Sequence, residues 1–597
     1  MKLSDYIAQF LAEQGIGHVF VITGGCIVHT IDSLAKRDDI KYIPVQHEQA
    51  GAMAADAYAR VTGGMGAALA TSGPGATNLL TGVCCAYYDS IPTIFITGQV
   101  PSGQLKRASK SRQIGFQETD VVSIFSTVTK YAVLVDDPKR IRYELEKAVY
   151  LARSGRPGPV LLDVCDDVQR ADIDPEKLEG FRIPDEKHAS AALEAAAEEC
   201  VRLMREAKRP VIIPGGGIRL SNTVQQFRDL ADRAGFPVAP TWAAVDFLPY
   251  TDPRVVGTFG VSSERAGNFV VQNADFVLAL GTRLDTHEIG PRASTFARGA
   301  KKVVVDLDQA ELDKYGAIGL RVDLPVCADL RDFFAVLLKK LAGFKGQDLA
   351  EWRSYIDGVK SRYPICPPQY RDQEDKVNPY VFMETLSQEL PDEAVVIPDC
   401  GGNLIWTMQG LHLRGRQRLI TSFNHSPMGY SVPASMGAAF ATSKPVICIT
   451  GDGGCQMNVQ ELATIAYYQL PVKIFLLDNH GHGIIKQTLD TWLNSRYHAI
   501  NTDSGLAMPD LVKVAQAYGI KTESIGSHAE LGKVRDVLAA KGPIFCRIDM
   551  RQDQVLEPKL VFGRPIEDSA PLLDRAEFKK NMLVPPLDEP KVPAKVG

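Results

Sequence analysis

The stretch Thr450–Gly483, TGDGGCQMNVQELATIAYYQLPVKIFLLDNHGHG, decides the fold. It begins at the end of an apolar run, PVICIT, and passes through a helical pattern into a second run, VKIFLLD. Strand, helix and strand in this order form one crossover unit of a parallel sheet. Gly451-Asp452-Gly453 closes the first strand and Asp478-Asn479-His480-Gly481 the second. Asp452 and Asn479, 27 residues apart, therefore emerge at the same edge of neighbouring strands. One carboxylate and one amide oxygen, with glycines that allow close approach, suit a Mg²⁺ ion that keeps phosphate ligands.

The same alternation extends in both directions. Residues 1–170 carry HVFVI, YIPVQ, GAALATS, IPTIFITG and GPVLLDV between helical stretches such as EQAGAMAADAYARVTG. Residues 191–345 repeat the pattern with RPVIIPGGG, ADFVLALGTR and KKVVVDLD, and residues 375–550 with AVVIPDCG, PVICITGDGG, VKIFLLDN and PIFCRIDM. The reading is an α/β protein of three doubly wound parallel-sheet domains. A polar linker spans 171–190, and the Pro- and charge-rich tail 551–597 reads as an extended arm or a lid. The strands end in ITGG, TSGPG, PGGG, ALGTR, PDCGGN and TGDGG, loops that let backbone amides approach an anion. GGG at 215–217 lacks the spacing of a dinucleotide fingerprint.

Composition excludes other classes. Apolar content of 45% and charged content of 23% are those of a folded globular chain. A net charge of −5 gives no electrostatic grip on nucleic acid or anionic membrane. No apolar run approaches the ~18 residues of a membrane span, and MKLSDYIAQFLAEQGIGHVF lacks an export signal. Eleven scattered cysteines without CxxC fit neither a disulfide framework nor a zinc site, and the expected location is cytoplasmic.

On its GDG…N motif the chain resembles the thiamine-diphosphate-dependent enzymes. That resemblance implies that Asp452 and Asn479 bind Mg²⁺ with the carbonyl of Gly481, and that the metal holds the cofactor's diphosphate. YIPVQHEQAGAMAADAYARVTG matches the family's activating segment, which makes Glu48 the acid bonded to the aminopyrimidine. In an apolar, water-poor setting its pKa would rise and it could share a proton. The remaining matches are closest to acetolactate synthase catalytic subunits. They include ATSGPGATNLLTGVCCAYYDSIPTIFITGQV, GFQETDVVSI, SGRPGPVLLDV and MGYSVPASMGAAFA. By resemblance, Met428 holds the cofactor bent, its amide and the carbonyl of Ser426 grip the aminopyrimidine, and Gln117 reaches the site across a subunit interface. Gly24, Gly25, Ser72, Gly73, Gly401, Gly402, Asn403, Gly453, Gly454 and Ile484 are the further cofactor contacts implied. The implied reaction decarboxylates a 2-oxo acid such as pyruvate and adds the two-carbon unit to a carbonyl acceptor. The implied assembly is a homodimer or homotetramer with active sites between subunits.

Departures from the acetolactate pattern bear on the acceptor. Thr488 stands where branched-chain synthases have Trp, leaving room and a hydroxyl for a bulkier, polar acceptor. His29 replaces Glu in the first loop, and Gly401-Gly402-Asn403 replaces GQH. His29 and His482 are each read either as polar groups facing substrate or as ordinary loop histidines. The basic loop KRASKSR (Lys106, Arg107, Lys110, Arg112) is read as a solvated surface or as a partner for an anionic acceptor. These features resemble the subset associated with polysaccharide and unusual-sugar pathways. The middle block resembles the family's FAD domain, with Arg283 and Asp306 as contacts. GTRLDTHEIG and GTFGVSS depart from its usual loops, so a vestigial domain is the other reading. The alternatives for the whole chain are a branched-chain acetolactate synthase, a 2-oxo acid decarboxylase or oxidase, and a non-catalytic flavin-binding scaffold.

Overall fold

The computed structural model describes residues 1–184 and 191–587, so residues 185–190 of the linker and 588–597 of the tail lie outside the described residues. Three parallel sheets follow one another along the chain. The first contains β1 (His18–Val21), β2 (Lys41–Pro44), β3 (Gly66–Ala70), β4 (Thr93–Gln99), β5 (Tyr131–Val135) and β6 (Val160–Cys165), in the order β2-β1-β3-β4-β6-β5. The second contains β7 (Pro210–Pro214), β8 (Phe276–Leu280), β9 (Lys301–Asp306) and β10 (Leu324–Cys327), in the order β10-β9-β8-β7. The third contains β11 (Val395–Pro398), β12 (Arg418–Leu419), β13 (Val446–Gly451), β14 (Val472–Asp478), β15 (Lys521–Ile525) and β16 (Ile544–Asp549), in the order β12-β11-β13-β14-β16-β15. This is the fold class read from the sequence. Inner strands such as GAALA and FVLAL are buried at every position, because helices cover both faces of a parallel sheet.

The first and third domains meet through two helices. Glu48–Thr62 is buried without interruption from Ala50 to Ala59, since one side faces its own sheet and the other the helix Ser431–Ala441. Small residues permit the contact: a Cβ on Gly437 would lie 2.1 Å from the carbonyl oxygen of Ala54. A helix buried all round reads as a nearly unbroken apolar sequence, and this one is rich in alanine.

After β16 the chain turns back to the second domain. The short strands β17 (Lys559–Leu560) and β18 (Ser569–Ala570) pair antiparallel. On the way, the side-chain amide of Gln487 donates to Leu556 O and accepts from Leu556 N, both at 3.2 Å. The segment then docks on the buried helix Arg265–Asn273. Asn268 donates to Ile566 O at 2.9 Å, Arg265 to Pro571 O at 2.7 Å and Asn273 to Asn581 O at 2.9 Å. Among the described residues, no helix is long and apolar enough to cross a membrane.

Candidate active site

In the third domain, three neighbouring strands each deliver a helix at their carboxyl ends. These helices are Gly402–Gly410 after β11, Asp452–Met457 after β13 and Gly483–Trp492 after β14. None has an N-cap side-chain hydrogen bond, which leaves helix-start amides at the strand ends. Asp452 is 5% exposed, and its two oxygens accept Gly453 N at 2.6 Å and Gly481 N at 2.9 Å. Burial, with Asp478 beside it, pushes this carboxyl up to about 7. A cation at the carboxylate would reverse that shift. Asn479, 7% exposed, lies against Gly483, where a Cβ would stand 2.3 Å from its Nδ2.

The loop Ser422–Gly429 closes over this edge. A Cβ on Gly453 would lie 2.6 Å from His482 Nε2 and 3.1 Å from Met428 Cε, so Gly453, Met428 and His482 meet. Burial holds His482 below the usual imidazole range and keeps it neutral near pH 7. Ser426 adopts a positive φ of 47°, and its amide donates to Ser422 Oγ at 3.3 Å. Asn403 donates to Cys400 O at 2.8 Å, while its Oδ1 is buried with no partner among the described residues, an atom that a ligand would satisfy. Among the described residues no three His, Cys, Asp or Glu side chains gather as a metal cluster. Asp452, Asn479 and Gly481 share this edge and offer a carboxylate, an amide oxygen and a backbone carbonyl, hard oxygen donors of the kind Mg²⁺ takes.

The first domain gathers a second group at the ends of β1, β2 and β3. Glu48 opens its helix beneath the N-cap His47, whose Nδ1 accepts Gln49 N at 3.1 Å. Its Oε2 accepts Asn78 Nδ2 at 2.9 Å. Gly24 packs on Thr71, where a Cβ would lie 2.4 Å from the threonine Cβ. Gly75 sits between Thr71 and Glu48, and Gly73, at φ 61°, sits against Gln117. Ser72 is buried, with Oγ 3.4 Å from Cys26 Sγ, whereas Gly25 is open. Glu48, Ser72, Gly73 and Gln117 are thus one patch. Within one chain Glu48 is half-buried and bounded by Asn78 and glycines, rather than in the closed apolar setting expected.

Family models agree with this layout. The N-terminal TPP binding domain, central domain and C-terminal TPP binding domain of thiamine pyrophosphate enzymes match residues 1–124, 197–337 and 399–548. The chain belongs to the thiamine pyrophosphate enzymes. It is 35% identical to the acetolactate synthase large subunit of Corynebacterium glutamicum, over 86% of this chain and 80% of the relative. It is 32% identical to the acetolactate synthase isozyme 1 large subunit of Escherichia coli, over 94% and 96% of the two chains. It is 31% identical to the probable acetolactate synthase large subunit of Methanocaldococcus jannaschii, over 99% and 98%.

Other expected residues of this thiamine pyrophosphate enzyme are engaged by neighbours within the chain. The ring of His29 lies between Lys2 Nζ at 3.3 Å and Asp166 at 3.6 Å. The Thr488 hydroxyl donates to the carbonyl of Ile484 at 2.9 Å, so its hydrogen is used within the helix and what Thr488 leaves is space. Arg107 pairs with Asp136 at 3.0 Å on the surface. In the central domain Arg283 donates to Asn424 of the third domain at 2.6 Å, and the buried Asp306 accepts Asp308 N at 2.9 Å. Four buried donors on the central loops, Thr241 Oγ1, Trp242 Nε1, Thr258 Oγ1 and Ser263 Oγ, have no partner among the described residues.

Two residues escaped the sequence reading of this enzyme. Asp399, at the end of β11, accepts Cys400 N at 2.9 Å, Gly429 N at 2.8 Å, Ser431 N at 2.9 Å and Ser431 Oγ at 2.7 Å. It pins the exit of the Met428 loop to the sheet. The acid in IPDCGG was the available signal. Glu461, fully buried, accepts Gln46 N of the first domain at 3.0 Å, and burial pushes its carboxyl up to about 7. It had no signal beyond an ordinary helical glutamate.

Proposed function

We propose that this enzyme decarboxylates a pyruvate-like 2-oxo acid and transfers the two-carbon unit to a carbonyl acceptor other than 2-oxobutyrate. The convergence of Met428, His482 and Gly453 beside Asp452 and Asn479 carries the reading. Asp452, Asn479 and the Gly481 carbonyl would hold Mg²⁺, and the helix starts at Gly402 and Gly483 would face the diphosphate. Thiamine diphosphate, when bound, supplies the electron sink for loss of CO₂ and for the new carbon–carbon bond. Glu48 would hold a proton at Oε1 or Oε2 against the aminopyrimidine, with Asn78 fixing the carboxylate. Met428 would set the bend of the cofactor, and neutral His482 would offer Nε2 to the substrate side. Glu48 and Gln117 point to a homodimer or homotetramer, because on one chain Glu48 remains half-buried. The protein would act in the cytoplasm.

The central domain would take FAD as a structural ligand without redox work, a reading supported by its four unpartnered donors. Flavin-free extracts of the purified protein would remove that part alone.

The test is product analysis by mass spectrometry, with pyruvate, Mg²⁺, thiamine diphosphate and competing acceptors. Wild type should prefer 2-oxobutyrate over pyruvate as acceptor by less than about tenfold, because Thr488 offers no flat apolar wall. Thr488→Trp should raise that preference into the range of about 10–200-fold for a single methylene and weaken use of large polar acceptors. Strong wild-type formation of acetohydroxybutyrate would make the protein an ordinary branched-chain synthase.

A further inference from the structure

The loop Ser422–Gly429 belongs to the third domain by sequence, yet its entry is held by the first. Asp89, at the end of the helix Leu80–Asp89, has a side chain 3% exposed. Its Oδ2 accepts Phe423 N at 2.8 Å and Arg60 Nη2 at 2.7 Å. Its Oδ1 accepts Asn424 N at 3.0 Å and Asn424 Nδ2 at 2.6 Å. Arg60 also donates to Asp56 at 2.8 Å, and Asp56 accepts the hydroxyl of Tyr430, just beyond the loop. Entry and exit are therefore gripped by two buried carboxylates that share one guanidinium. The central domain joins at the same point, since Arg283 donates to Asn424 Oδ1. One asparagine side chain is held from both other domains.

A buried ion network of this kind contributes little net stability compared with an apolar replacement of the same volume, because desolvation offsets the Coulombic gain. What it does supply is direction. Two backbone amides on one carboxylate fix where the loop starts, and Met428 follows four residues after Asn424. Resting on the thiamine-enzyme reading above, we propose that Asp89 is a positioning residue of the reaction. It sets the loop from the first domain so that Met428 faces Gly453 and His482.

The experiment compares the full-length wild type with Asp89→Asn and Asn424→Ala, each with Mg²⁺ and thiamine diphosphate. Asp89→Asn keeps the shape but cannot accept from all four donors. Its dissociation constant for thiamine diphosphate, by calorimetry, should rise about tenfold, the equivalent of one charge-assisted hydrogen bond. Turnover should fall by a similar factor while KM for the 2-oxo acid stays within about twofold. Asn424→Ala keeps both backbone amides on Asp89 and loses only side-chain bonds. It should shift both quantities in the same direction by about threefold, and it decides the matter if Asp89→Asn does not fold. Wild-type binding with both variants unchanged overturns this inference alone. A wild type that binds no thiamine diphosphate overturns the functional reading and this inference with it.

Discussion

In the first domain the strands run β2-β1-β3-β4-β6-β5, and in the third β12-β11-β13-β14-β16-β15. Counted within each domain the two orders are identical, yet the strand ends carry different chemistry. The third domain places buried carboxylates there, Asp399 and Asp452, each accepting backbone amides of nearby loops. After β2 the first domain places the half-buried Glu48, whose partner is the side chain of Asn78, among glycines that pack on Thr71 and Gln117. A carboxylate held by backbone amides is fixed and suited to a cation. Glu48 is fixed instead by one side-chain amide at a helix start. One scaffold thus carries two differently furnished edges, because a site is grafted on a fold rather than dictated by it.

That division can be broken at either edge. The largest effect should come from Asp452→Ala, which removes the carboxylate that Mg²⁺ would use and leaves two amides without acceptors. Metal-dependent retention of thiamine diphosphate should be lost, and unchanged binding in a calorimetric titration would show that the metal site lies elsewhere. Glu48→Gln should leave cofactor affinity nearly intact while activity falls by about 10²-fold or more, the ordinary scale of acid–base catalysis. If affinity fell and turnover did not, the two edges would have exchanged roles.

The smallest effect lies where the edges meet. Glu461 reaches from the third domain to Gln46, two residues before Glu48. Burial raises its folded-state pKa to about 7, above the usual range near 4.3, so the folded chain binds the proton more tightly than the unfolded chain. The stability this supplies is complete below about pH 4.3 and is lost as pH rises through about 7. Glu461→Gln should match wild type near about pH 4 and exceed it at pH 8 by on the order of 1–3 kcal/mol. Parallel melting curves at the two pH values would refute this shift in the junction.

Proximity in sequence governed what could be read beforehand. Asp452 and Asn479 were legible because one crossover fixes both ends, and Glu48 because its helix begins directly after a strand. For His29 the sequence leaves a substrate-facing group and an ordinary loop histidine both open, and the neighbours of its ring, Lys2 from the start of the chain and Asp166 from beyond β6, are not adjacent to it in sequence. Thr488 was credited with a free hydroxyl, although a helical threonine commonly returns its proton to the carbonyl four residues back. The Asp89–Asn424 contact spans 335 residues between unremarkable polar side chains. Nothing local marks such a pair, so it could only emerge from tertiary packing.

The segment after β16 has a consequence for the chain as a whole. Covalently the domains run first, second, third. In space the first touches the third through Glu48–Thr62 and Ser431–Ala441, and the third returns to the second through the residues bound to Arg265, Asn268 and Asn273. The first meets the second where Arg156 donates to Glu311 at 3.1 Å, so the domains form a closed ring of contacts on a linear polymer. Opening the backbone at any one inter-domain connection would leave all three bodies associated, which makes this architecture a natural host for relocated chain ends.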